Sequence, residues 1–134
     1  MIRLIIPAFV ALLVSGPALT AEGRLFNCTV KDVQQLGNDG VLIRNKVTQR
    51  DRDWYKTFTF DEMTGILRYG KSFFSRQMEV VQKGSVDNSA IGLYRYKGAG
   101  SSRADLFRIK TFKKEMPFLF LDTDTIYTGN CEVM

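Results

Sequence analysis

From Leu25 onward, apolar residues recur at every second position, the period of a pleated strand rather than the 3.6-residue period of a helix. Phe26, Cys28 and Val30 alternate with Asn27, Thr29 and Lys31, and Phe58 and Phe60 alternate with Thr57, Thr59 and Asp61. Met78 and Val80 continue the pattern, followed by Ile91 and Leu93, then Phe107 and Ile109, then Phe118 and Phe120. β-Branched and aromatic residues dominate these runs, as a half-buried pleated surface favours. Helical spacing is nowhere sustained over three turns, and short helical turns are expected only at residues 71–79 and 113–116. Turn-forming clusters separate the runs: Gly37-Asn38-Asp39-Gly40, Asp61 to Gly65, Lys83-Gly84-Ser85, and Gly98-Ala99-Gly100. Asp61 to Gly65 suits a type I turn closed by a left-handed glycine. About eight strands at such spacings predict an all-β fold: a single small antiparallel barrel, connected as a meander, with a β-sandwich as the alternative.

The N-terminus departs from this pattern. Arg3 precedes an apolar stretch from Leu4 to Val14, Gly16 and Pro17 break it, and small residues follow at Ala18, Thr20 and Ala21. A positive start, a short apolar run and a small-residue end describe a secretory signal peptide. Residues 1–21 are therefore expected to be a signal peptide and residues 22–134 a single β domain. The apolar run carries Pro7 and falls short of the roughly 20 residues that a membrane span needs. Pro17 follows Leu13-Val14-Ser15-Gly16, where a lipoprotein signal would place cysteine, so no lipid attachment is expected. The expected location is periplasmic or secreted, with no integral span after cleavage.

Export changes the meaning of the two cysteines. In an oxidising compartment Cys28 and Cys131 should pair, tying the first strand to the last. A redox role would want a close Cys-x-x-Cys pair, which the sequence lacks. The layout Phe26-Asn27-Cys28, then Asp61-Glu62-Met63-Thr64-Gly65, then Thr128-Gly129-Asn130-Cys131 resembles that of small exported proteobacterial proteins of unassigned function. The resemblance implies a disulfide-closed barrel and no particular activity.

Composition narrows the chemistry. The 134 residues include no histidine, which removes the commonest general base and every Ser-His or Cys-His nucleophile pair. Carboxylates remain: Asp61 and Glu62 at a turn, and Asp122 with Asp124, which would point the same way on an extended segment. None shows the paired, cleft-bound pattern of an acid-base site, so no catalytic residue, metal site or cofactor is assigned. The formal charge is +5, and losing Arg3 with the leader lowers it by one. Much of the excess lies between residues 95 and 114, where Arg95, Lys97, Arg103, Arg108, Lys110, Lys113 and Lys114 face a single acid, Asp105. Arg95, Lys97, Arg108, Lys110, Lys113 and Lys114 form a candidate patch for an anionic partner. Trp54, Tyr55, Tyr94 and Tyr96 are candidate aromatic contacts, and residues 44–56 read as a mixed-charge loop around the first two.

The function expected from these features is that of an exported, non-enzymatic binding or interaction protein. Its partner would be an anionic envelope component or another protein, such as a secreted hydrolase that it inhibits, rather than a nucleic acid. The alternative is a small-ligand carrier whose phenylalanines line a pocket inside the barrel, followed by a carboxylate-dependent hydrolase.

Overall fold

The computed structural model describes residues 23–70 and 75–134; the expected leader lies outside them. The chain forms β1 (Leu25–Leu36), β2 (Leu42–Ile43), α1 (Lys46–Trp54), β3 (Thr57–Asp61), β4 (Ile66–Tyr69) and β5 (Ser75–Gln77). It continues through β6 (Glu79–Gln82), β7 (Ala90–Gly98), β8 (Ser101–Ile109), β9 (Pro117–Asp122) and β10 (Thr125–Val133). The strands belong to one antiparallel sheet in the order β5-β4-β3-β1-β10-β9-β8-β7-β6, with β2 beside β1. β5 and β6 stand at opposite ends of that order, yet Met78 alone separates them in sequence. One kinked strand thus pairs first with β4 and then with β7, and wraps the sheet into a nearly closed barrel of nine strands. Counted as one strand, β5 and β6 leave the eight-position meander that the turn spacing predicts.

The first and last strands meet at the seam. Cys28 faces Cys131 in the β1–β10 register, and the two are disulfide-bonded with a Cα–Cα distance of 4.0 Å. The Cys131 N–H donates to Met116 O, away from β1, which makes this a non-hydrogen-bonded pair, where facing side chains come closest. Beyond Val30 a bulge in β1 shifts the register, so the inward parity passes from Phe26, Cys28 and Val30 to Val33. Gly129 opposes Val30 there, and a Cβ on it would lie 1.9 Å from Thr29 O. Only glycine fits. Gly65, at φ +75°, ends the Asp61 turn as expected, and its carbonyl accepts the Met78 N–H at the kink.

Inward alternation fills the barrel with aromatic rings. Phe58, Phe60, Phe107, Phe118 and Phe120 are all buried. Phe60 and Phe107 meet edge-on at 4.8 Å between centroids, and Phe58 and Phe118 at 5.1 Å. Edge-to-face pairs of this kind stabilise by about 0.5–1.5 kcal/mol beyond the area they bury.

Two expectations are corrected. Residues 46–54 are helix α1 rather than part of a mixed-charge loop. The Asn45 side chain accepts from Thr48 N–H at 3.0 Å while Thr48 Oγ accepts from Asn45 N–H at 2.8 Å, a reciprocal cap that starts the helix. Residues 75–77 are strand, not a helical turn, because Arg76 must pair with Leu67 for the kinked strand to hold β4; residues 71–74 of that expected turn lie outside the described residues. At 113–116 a tight turn does form, with Met116 N–H donating to Lys113 O.

The disulfide closes a sequence separation of 103 residues. Replacing both cysteines by alanine should lower the unfolding free energy by about 2–5 kcal/mol, the upper part of that range being the chain-entropy figure for so long a loop. Urea unfolding followed by circular dichroism reads this directly. Unchanged stability would show that strand pairing alone holds the seam.

Candidate interaction surface

Each end of the aromatic core is closed by a buried carboxylate. At the end that carries the β7–β8 and β9–β10 turns, Asp105 is fully buried on the inward face of β8. Arg76 Nη1 lies 2.8 Å from its Oδ2 and 3.4 Å from Asp122 Oδ2. Arg103 Nε contacts Asp105 at 2.8 Å, and its Nη2 pairs with Asp122. Each arginine therefore touches both aspartates in a ring of four ion pairs. Asp105 also accepts the Thr123 N–H at 2.9 Å, which fixes the β9–β10 turn with Thr123 at φ +58°. Above the core, the Arg76 guanidinium lies 5.2 Å from the Tyr94 ring centre and 5.7 Å from that of Phe120. At the opposite end, buried Glu62 accepts from Arg24 N–H at 3.1 Å and from Gly84 N–H.

This arrangement assigns the carboxylates to structure. Asp122 points into the ring whereas Asp124 sits exposed in the turn, so Asp-Thr-Asp is not the extended, same-facing pair. Asp61 caps its turn by accepting from Met63 N–H at 2.8 Å. Partial burial would raise its pKa, but bonds from Met63 and Thr64 outweigh that and hold it below the ordinary carboxylate value. Asp61 and Asp122 stand at opposite ends of the barrel and cannot act on one bond. Among the described residues, no three His, Cys, Asp or Glu side chains converge as a metal site.

The candidate aromatic contacts separate. Trp54 is 67% exposed at the end of α1. Tyr55 turns inward, 4.7 Å from Tyr69 and 6.0 Å from Tyr127 between ring centres. Tyr94 points into the barrel beneath Arg76, and Tyr96 is exposed near the β7–β8 turn.

The six candidate cations are all exposed but divide into two groups. Arg95 and Lys97 lie toward the β7–β8 turn, and Arg95 is paired with Glu79 at 2.8 Å. Arg108, Lys110, Lys113 and Lys114 lie at the other end of β8 and in the loop that follows. Arg95 faces Ala104, four residues from Arg108, which places about 14 Å of strand between the groups. A row of aliphatic side chains runs across that interval on the outer wall. Leu93, Leu106, Leu121 and Ile126 are successive cross-strand partners on β7, β8, β9 and β10, and all are half-buried.

Beside this row a groove of about 440 Å³ crosses β8, β9 and β10. Leu119 and Pro117 line it together with Lys31, Arg108 and Lys110, and no carboxylate contributes to the lining. Arg108 is steered by Ser89, whose Oγ accepts its Nε–H at 3.0 Å. Asp32, opposite Thr128, is engaged by Arg44 at 2.7 Å, which holds its pKa below the usual value, and Glu132 lines the adjoining depression that shares Lys31 and Asn130. Lys31 and Leu119 escaped the sequence reading. Lys31 is the bulge residue that breaks alternation, and Leu119 is the exposed residue between two buried phenylalanines.

No helix among the described residues is long and apolar enough to cross a membrane. No protein-family model, curated protein or solved structure matches the chain significantly.

Two outcomes are expected of the ion-pair ring and of Tyr69 beside it. Asp105→Asn removes the buried counter-charge of two half-buried arginines that keep Asp122, and should destabilise by about 1.5–3 kcal/mol, the range of a charge-assisted buried bond, a loss measurable by urea unfolding; a change well below about 1 kcal/mol, in the range of a surface pair, would mean that the ring adds no more than a surface pair does. Burial, with Asp122 adding to it and Arg76 opposing it, pushes the Tyr69 phenol up to about 12. Its folded pKa is above the unfolded value, so its contribution to stability is complete below about pH 10 and is lost as pH rises toward 12. Burial raises the Tyr127 phenol as well, so an ultraviolet titration at about pH 11 should show about two tyrosinates fewer for wild type than for the urea-unfolded chain, and Tyr69→Phe should narrow the difference to about one.

Proposed function

We propose that this chain is an exported, non-enzymatic binding protein of the periplasm or cell exterior, and that it meets an anionic partner through the outer wall of β8, β9 and β10. The observation that carries the reading is the groove beside Leu119, lined by three cations and no acid. An apolar floor with charges of one sign at its rim suits an envelope component or a protein with acidic groups on an apolar surface. Inhibition of a secreted hydrolase is one form this binding would take. The leader pattern and the disulfide support export. Carriage within the barrel is the weaker reading, since the phenylalanines pack against one another rather than around a space. Hydrolysis is weaker still, with the carboxylates engaged as caps and ion pairs.

Retention on an immobilised polyanion tests the reading. Reversing Lys31, Arg108 and Lys110 to glutamate should weaken binding by about tenfold or more, and added salt should weaken the wild type. A charge-matched reversal away from the wall, Lys46, Arg95 and Lys97 to glutamate, should matter far less. Equal losses from both variants would mean that net charge, not the wall, governs retention.

A further inference from the structure

Three segments converge at the barrel end where the chain enters: the 61–65 turn, the 83–89 loop and the 110–116 loop. Part-buried bonds hold them together, with Gly84 N–H on Glu62 and the Thr111 hydroxyl at 2.7 Å from Asn88 O and 3.0 Å from Ser85 O. Their bases are thus fixed while their tips project. Those tips are apolar. Val86 is 85% exposed, Met63 60% and Phe112 38%. Each loop also carries or meets a cation: Lys83 Nζ lies 3.7 Å from Met63 Sδ, Lys113 Nζ lies 5.6 Å from the Phe112 ring centre, and Lys114 follows. Asp87 and Glu115 are the exposed acids on the two longer loops, against Lys83, Lys110, Lys113 and Lys114. Glu62 is buried against Arg24 and adds no charge to the surface.

The chain outside the described structure joins at this same end. Gly23 lies against the Met63 backbone, so close that a Cβ on it would be 2.7 Å from Met63 N.

We propose that this end of the barrel docks on an anionic lipid surface. Val86, Met63 and Phe112 enter the boundary between headgroups and acyl chains, and Lys83, Lys113 and Lys114 lie at headgroup level with their stems along the apolar tips. Phosphate-bearing headgroups supply the complementary charge. The disulfide-closed barrel presents the three tips together, so little order has to be acquired on binding. This contact goes beyond the proposed function, because it uses the end of the barrel and leaves the wall groove facing water for its own partner.

Flotation of the protein recovered from producing cells, with vesicles rich in phosphatidylglycerol or made of phosphatidylcholine alone, tests the proposal. Binding is expected to the anionic vesicles and to be much weaker to the neutral ones. Changing Lys83, Lys113 and Lys114 to glutamine should weaken it on the order of a hundredfold, from about fivefold per lysine. Val86→Asp, at a site that packs against nothing, should weaken it without lowering the melting temperature. Lys31→Glu with Arg108→Glu should bind vesicles as the wild type does, even where polyanion retention is lost. Equal binding to both vesicles, no binding to either, or wild-type binding by the loop variants would overturn the proposal.

Discussion

Closing β1 onto β10 turns a sheet with one apolar face into a tube with an inside. Every inward phenylalanine depends on that closure, because an open sheet would leave its apolar face to water. The Cys28–Cys131 bond lies within the β1–β10 ladder and joins the two ends of the meander covalently. The kink at Met78 performs the complementary task on the far side. There a single strand serves β4 with its first half and β7 with its second, and the Gly65 carbonyl holds the changeover.

A short tube filled with rings still has two open ends. A buried acid closes each, and arginines neutralise it: Asp105, with half-buried Asp122, by Arg76 and Arg103 at one end, and Glu62 by Arg24 at the other. The same pairs anchor loops, since Asp105 fixes the β9–β10 turn and Glu62 ties the 83–89 loop to the 61–65 turn. Charges buried for closure are withdrawn from chemistry. What remains for recognition is the outside: the cation-rimmed groove on the wall and the apolar, lysine-flanked tips at the chain-entry end.

Much of the fold was legible because strand alternation reports burial residue by residue. Phe58 and Phe60, Phe107 and Ile109, and Phe118 and Phe120 all point inward as their parity requires. The barrel and the Asp61–Gly65 turn followed from the same kind of local signal, whereas the disulfide was expected from two cysteines behind a leader pattern. Helix α1 was missed because its nine residues are mostly polar and too few to show a period; the Asn45–Thr48 cap was its only clear mark. The ion-pair ring was missed for another reason. Arg76, Asp105 and Asp122 are brought together by pairing between strands distant in sequence, although Arg103 and Asp105 share the parity of Phe107 and so belonged to the inward face. The proposed patch was legible as a charge excess but not as a shape. Strand direction carried Arg95 and Lys97 away from Arg108, and Lys31, outward by parity on β1, joined Arg108 only through the β1–β10 pairing distant in sequence.

The central claim is that the barrel interior is solid and that recognition happens on its outer surface. Titration of the isotope-labelled protein with a polyanion, followed by nuclear magnetic resonance, tests it most directly. Shifts confined to Lys31, Arg108, Lys110 and Leu119 and their neighbours, with the Phe58, Phe107 and Phe120 rings unmoved, are the predicted result. Perturbation centred on those inward rings would contradict the account and return the barrel interior as the binding site.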